Sequence, residues 1–252
     1  MIPAVISLLS AHLAVGTLLI SAALVLRQRL PDPFLRFCAV GSAFAAGVSW
    51  LLSPRGNLAY GAVAAAAVFW YFWLRRRGGG SPFPAVAAAL IGLGALATEC
   101  LGNNTAGWPL CFAGSVSSSL LLGAVVVSMV LGHWYLVDTK LSIAPLKQGA
   151  LWFALAVVAR WVSVSTTLAR EGLQVVQVTR TADLVFSTLG LFFLFRFISG
   201  LIAPALLAGL IWQTVKIRST QSATGLLYVA LVLVLFGELI AQFLAVATGF
   251  PL

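Results

Sequence analysis

The sequence predicts an all-α fold: a polytopic integral membrane protein, a bundle of about eight transmembrane helices forming one domain over residues 1–252. Three observations carry this. Hydrophobic residues make up 61% of the chain and charged residues only 8%, where a water-facing domain holds roughly a quarter charged residues. Apolar stretches of about 20 residues recur, the length that matches the hydrocarbon thickness of a bilayer. Runs such as "LLYVALVLVLF" lack the polar–apolar alternation of a membrane barrel strand. The net charge of +9 does not point to nucleic acid, because the basic residues sit in short loops between apolar spans, where positive charge sets topology.

The first span, about residues 4–26, lies in "MIPAVISLLSAHLAVGTLLISAALVLRQR"; it lacks a basic leader and has full spanning length, so it reads as a membrane helix and not a cleavable signal. The second, about 35–53, follows the loop "RQRLPDPFLR" and carries Cys38 near its start. The third, about 57–74, ends at "RRRGGGSP", a basic and flexible connector. The fourth, about 83–100, leads into the polar turn "LGNNTAGWPL", flanked by Cys100 and Cys111. If that turn faces an oxidising compartment the two cysteines form a disulfide; two unpaired thiols is the other reading.

The fifth span, about 114–137, ends in "VLGHWYLVDTKL", and the sixth, about 149–169, contains Arg160. The seventh, about 183–214, would be about 48 Å long at 1.5 Å per residue, against a core of about 30 Å. It is expected as one long helix that tilts or kinks near Gly200 and Pro204. The eighth, about 223–248, contains Glu238, with Thr220 or Ser222 available as its N-cap. Gly41, Gly47, Gly92, Gly94, Gly200 and Gly209 are expected where helices touch. No internal repeat is evident in the sequence. The connections are short, so consecutive helices should pack as antiparallel neighbours.

Loop charges orient the bundle. Arg27, Arg29, Arg36, Arg75, Arg76, Arg77, Lys140, Lys147, Lys216 and Arg218 fall on one side, and only Arg55, Arg170 and Arg180 on the other. By the positive-inside rule the first side is cytoplasmic and both termini are outside, in a bacterial-type cytoplasmic (inner) membrane.

Ionisable groups at membrane depth are costly and default to functional candidates. Arg160, Arg196 and Glu238 all fall near the middle of the bilayer and are expected to meet in a buried polar cluster. That cluster is either a clamp between three consecutive helices or the wall of a polar site, with Glu238 the candidate proton carrier. Arg160, Ser163 and Thr167 share a helix face, as do Thr188, Arg196 and Ser199 more loosely. Asp183 is expected to pair with Arg180 or Arg170 at the surface.

At the opposite rim, an aromatic belt accounts for Trp134, Tyr135 and Lys140 but not for His133. On the same side lies the polar run "KIRSTQSATG", with Arg218 and Gln221. Bases, hydroxyls and amides at headgroup level suit a lipid phosphate, a quinone carbonyl or a partner subunit. His12 and His133 are the only histidines. His12 lies about a dozen ångström from one side and His133 within about 8 Å of the other, so a bis-histidine haem is not expected. Scattered cysteines and histidines give no metal-ligand spacing, and no nucleotide-binding or hydrolase motif is present.

The expected function is a membrane-embedded subunit of an energy-linked electron-transport complex, working with other membrane subunits in the lipid bilayer. It would bind quinone, or another apolar cofactor, around His133, Tyr135, Arg218 and Gln221, with His133 and Glu238 as the proton-handling groups. The alternatives are a proton-coupled carrier of a small solute, with the buried cluster as its site, and a purely structural or assembly subunit. Broken helices at mid-membrane would favour the carrier.

Overall fold

The structure, a computed structural model, describes residues 1–53, 57–78, 81–101, 106–137, 142–172 and 187–252. Among these residues it is all helical and contains eight helices long and apolar enough to cross a membrane: α1 (Ile2–Val25), α2 (Asp32–Leu52), α3 (Leu58–Arg77), α4 (Phe83–Cys100), α5 (Trp108–Val137), α6 (Ala144–Glu171), α7 (Thr188–Lys216) and α8 (Thr220–Thr248). Long alanine-, leucine- and valine-rich runs satisfy their backbone internally, the form of structure a bilayer interior tolerates. Prolines stand in the first turn of α1, α2, α4 and α6, where the missing N–H costs nothing. Asn57 caps α3 through the Ala59 N–H at 3.1 Å, and Ser187 caps α7 through the Gly190 N–H at 3.0 Å.

Several boundaries differ from those the sequence suggests. α5 begins at Trp108 and α6 at Ala144, so Cys111 lies in the first turn of a helix and not in the polar turn before it. The N-cap of α8 is Ser219, not Thr220 or Ser222. α7 is continuous across Ile198–Ile202, but that stretch is a π-helix. Pro204 explains it: an N–H is missing where the Gly200 carbonyl four residues back would receive its bond, so the ladder shifts register. Arg180 and Asp183 lie outside the described residues.

The eight helices pack as two rings of four. α1 lies on α2, α2 on α3, α3 on α4, and α4 returns to α1; α5, α6, α7 and α8 repeat the same closed order. The rings join mainly through α1 against α5, flanked by α4 against α5 and α8 against α1. This repeat is one of packing, with no sequence repeat to announce it. At the join the backbones nearly touch. A Cβ on Gly16 would lie 1.8 Å from the Ser119 carbonyl oxygen, and one on Gly123 would lie 2.1 Å from the Gly16 carbonyl. Of the glycines expected at contacts, Gly92 meets Val15 and Gly200 meets Arg196 and Gly237, while Gly41, Gly47, Gly94 and Gly209 face open space. The sequence shows which residues are small but not which way they face.

Candidate functional site: a polar chamber between the two rings

Both termini, Glu99 at the foot of α4, and the starts of α5 and α7 lie at one end of the bundle, here the terminal end. One turn or more inside that end, α6 presents Arg160, α7 Arg196 and α8 Glu238, and the three side chains meet. Each is at most 2% exposed. Arg160 grips Glu238 with two bonds, Nε to Oε1 and Nη2 to Oε2, both 3.0 Å. Its remaining donors reach the Gly114 carbonyl at 3.2 Å, the Ser117 hydroxyl at 3.4 Å and the Leu252 carbonyl at 2.6 Å. All five guanidinium N–H groups are thus engaged.

Arg196 donates from Nη2 to Glu238 Oε1 at 2.9 Å. Its Nη1 fills the space a side chain at Gly200 would take, 1.7 Å from the position of a Cβ there. The glycine in the π-turn therefore makes room for the guanidinium. Ser118 of α5 donates to Glu238 Oε2. The carboxylate then accepts four bonds from three helices, and its role in this geometry is to hold two cations and align α5, α6, α7 and α8.

A second string of groups leads away from this clamp. Gln242 stands one turn beyond Glu238 on α8, and its amide nitrogen lies 3.2 Å from Ser118 Oγ and 2.9 Å from His12 Nδ1. His12 belongs to α1, so the string crosses from one ring to the other. Its Nε2 is buried and has no protein partner. Beside it lies a cavity of about 100 Å³ lined by His12, Glu99, Ser115, Ser118, Arg160 and Gln242.

The chain tail forms part of this chamber's wall. Gly249 takes a left-handed turn, φ 83°, which returns Phe250–Leu252 onto the bundle. Thr167 donates to the Pro251 carbonyl at 3.3 Å, and Gly114 leaves the proline its space, with a Cβ there only 2.4 Å from Pro251 Cβ. Glu99, at the other margin, accepts from the Tyr60 hydroxyl of α3. Next to it Cys100 and Cys111 are joined as a disulfide with Cα atoms 5.6 Å apart, tying α4 to α5.

The chain matches no protein-family model, no curated protein and no solved structure.

The structure distributes the sequence candidates unevenly. It brings Arg160, Arg196 and Glu238 together. Ser163 and Thr167 are buried on the face of Arg160, and Ser199 near Arg196, whereas Thr188 is exposed. At the other end, His133 and Tyr135 are not brought into one pocket. Two residues along a helix turn the side chain by about 200°, so His133 is exposed on the bundle's flank while Tyr135 is buried. His133 Nδ1 lies 3.1 Å from the Tyr228 hydroxyl of α8, and Tyr135 donates to the Ser142 carbonyl. Arg218 and Gln221 are exposed around the α7–α8 link, where Arg218 adopts a left-handed φ of 62°.

His12 and His133 contact Gln242 and Tyr228 of the same helix. At 1.5 Å per residue these levels are about 21 Å apart, too far for one haem iron. Among the described residues no three His, Cys, Asp or Glu side chains gather into a metal site. Asp138 and Lys140 lie outside the described residues.

Sequence reasoning did not single out Glu99, Ser118 or Gln242. A polar residue one turn from Glu238 was a usable signal for Gln242, and the serine run "SVSSS" in α5 was one for Ser118. Glu99 gave none, since a carboxylate at a span's end looks like a surface group.

Proposed function

We propose that the protein is an integral membrane transporter of a small solute, with the chamber beside the Arg160–Glu238–Arg196 clamp as its binding site. The observation that carries this is the chamber's place: a cavity with several polar groups in its wall, set between two rings of four helices packed in the same order. Transporters built from two like halves bind at the seam between them, and their site helices are interrupted there. The π-turn of α7 stands outside that seam, within the second ring, where it makes room for Arg196 of the clamp. The basic rim is cytoplasmic by the positive-inside rule, so the chamber belongs to the outer half of the membrane, beside a disulfide that an oxidising exterior maintains.

The test is uptake by proteoliposomes, read by light scattering after an osmotic challenge with urea, acetamide, glycerol, ammonium chloride, potassium acetate and potassium phosphate in turn. At least one solute should enter faster than into protein-free vesicles, and Ser115→Leu, which narrows the chamber, should slow it. Identical rates with and without protein for every solute overturn the proposal.

A second reading, a subunit of a redox complex binding quinone at the inner rim, is favoured by one contact, the exposed His133–Tyr228 pair. It predicts that extraction of protein purified in mild detergent yields a quinone, and that His133→Ala loses it. Absence of quinone from the parent protein rejects this reading.

A further inference from the structure

The hydrogen bonds that run from the clamp to the chamber have a fixed direction, and that direction dictates which atom the chamber presents. A carboxylate only accepts, so Ser118 must spend its one hydrogen on Glu238. Its oxygen is then an acceptor toward Gln242, and the amide must turn its NH₂ to it. The other orientation would leave the amide oxygen facing a hydroxyl whose hydrogen is already used. The second amide hydrogen reaches His12 Nδ1 at 2.9 Å, so Nδ1 accepts. The single imidazole proton therefore sits on Nε2, a buried atom with no protein partner, on a ring that lines the chamber.

We propose that the chamber is selective for a small uncharged solute of the amide or urea type. The solute's oxygen accepts from His12 Nε2–H, and its N–H groups donate to Glu99.

The lining decides between solute classes. Arg160 has no N–H to spare for an anion, because all five are taken by protein oxygens. A cation could donate to Glu99 but would leave the His12 N–H without an acceptor. A neutral molecule with an acceptor at one end and donors at the other satisfies both groups, and an unsatisfied buried donor is what such a site pays most to avoid. Size narrows the class further. The cavity, about 100 Å³, is smaller than the roughly 150 Å³ engineered cavity that admits benzene, which suits formamide, urea or acetamide.

The polarity of His12 follows from geometry alone; the solute class rests on the transporter reading. Both are read on the full chain with ¹⁵N-labelled histidine in the His133→Ala variant, which leaves one imidazole to observe. The proton should be on Nε2, assigned by couplings to both ring carbon-bound hydrogens, and the Nε2 signal should move on titration with acetamide and stay in place with potassium acetate or methylammonium chloride. A proton on Nδ1, on both nitrogens, or an Nε2 signal indifferent to acetamide overturns the proposal. In proteoliposomes, acetamide and urea should enter at least tenfold faster than into protein-free vesicles, with acetate and methylammonium at the protein-free rate. Uptake of a charged solute with the amides at background overturns the solute class and leaves the transporter standing. No uptake at all, with Nε2 still responding to acetamide, overturns the transporter and leaves the binding site.

Discussion

Replacing Glu238 by glutamine removes the one negative charge between two buried guanidinium groups. The carboxylate accepts three guanidinium N–H bonds and one hydroxyl bond. Glutamine keeps one acceptor oxygen and puts an NH₂ where the second was, facing donors. Removing one partner of a buried ion pair typically costs about 3–5 kcal/mol, because the remaining charge stays buried without compensation. A chain of this size loses about 2–4 °C of melting temperature per kcal/mol. Glu238→Gln should therefore melt about 6–20 °C below the parent, measured in detergent by near-ultraviolet circular dichroism.

The two arginines should not be equivalent. Arg160 makes five hydrogen bonds to four residues and Arg196 one, to Glu238, so Arg160→Met should cost more than Arg196→Met. Neutralising the whole clamp with apolar side chains of similar volume (Arg160→Met, Arg196→Met and Glu238→Leu together) should recover much of the loss, as buried ion pairs often yield to apolar packing at little cost. A Glu238→Gln melting temperature within about 2 °C of the parent would refute the clamp.

Three further outcomes are expected. Gly123→Val drives a side chain into the Gly16 backbone and should destabilise by about 3 kcal/mol, the upper end of overpacking costs; an unchanged melting temperature would mean that α1 and α5 do not cross there. The Cys100–Cys111 link closes a short loop, sequence separation 11, and should contribute about 2–3 kcal/mol. A reductant should lower the parent's melting temperature to that of Cys111→Ser, and the denatured parent should titrate as one free thiol, Cys38; three thiols would rule the link out. Finally, a membrane-impermeant maleimide on intact cells should label Arg170→Cys and reach Arg76→Cys only after lysis; the reverse pattern inverts the topology.

What the sequence determined by itself was local and one-dimensional. Eight spans follow from the lengths of apolar runs, and the depth of Arg160 or Glu238 follows from counting along a helix at 1.5 Å per residue. The meeting of three buried charges was legible for the same reason: at membrane depth each has few places to go.

Azimuth was not legible. In a soluble helix a polar face marks the outside. Here the outward-facing sides are as apolar as the core, with Phe44 74% and Leu51 77% exposed, so no stripe tells which side packs. That is why four of six glycines expected at contacts face open space, and why His133 and Tyr135, two residues apart in the sequence, point apart. Only the tertiary structure could set His12 of one ring against Gln242 of the other, bring Glu99 to the same cavity, and repeat a ring of four helices. Each depends on which helices are neighbours, and small residues in close contact settle that without leaving a pattern along the chain.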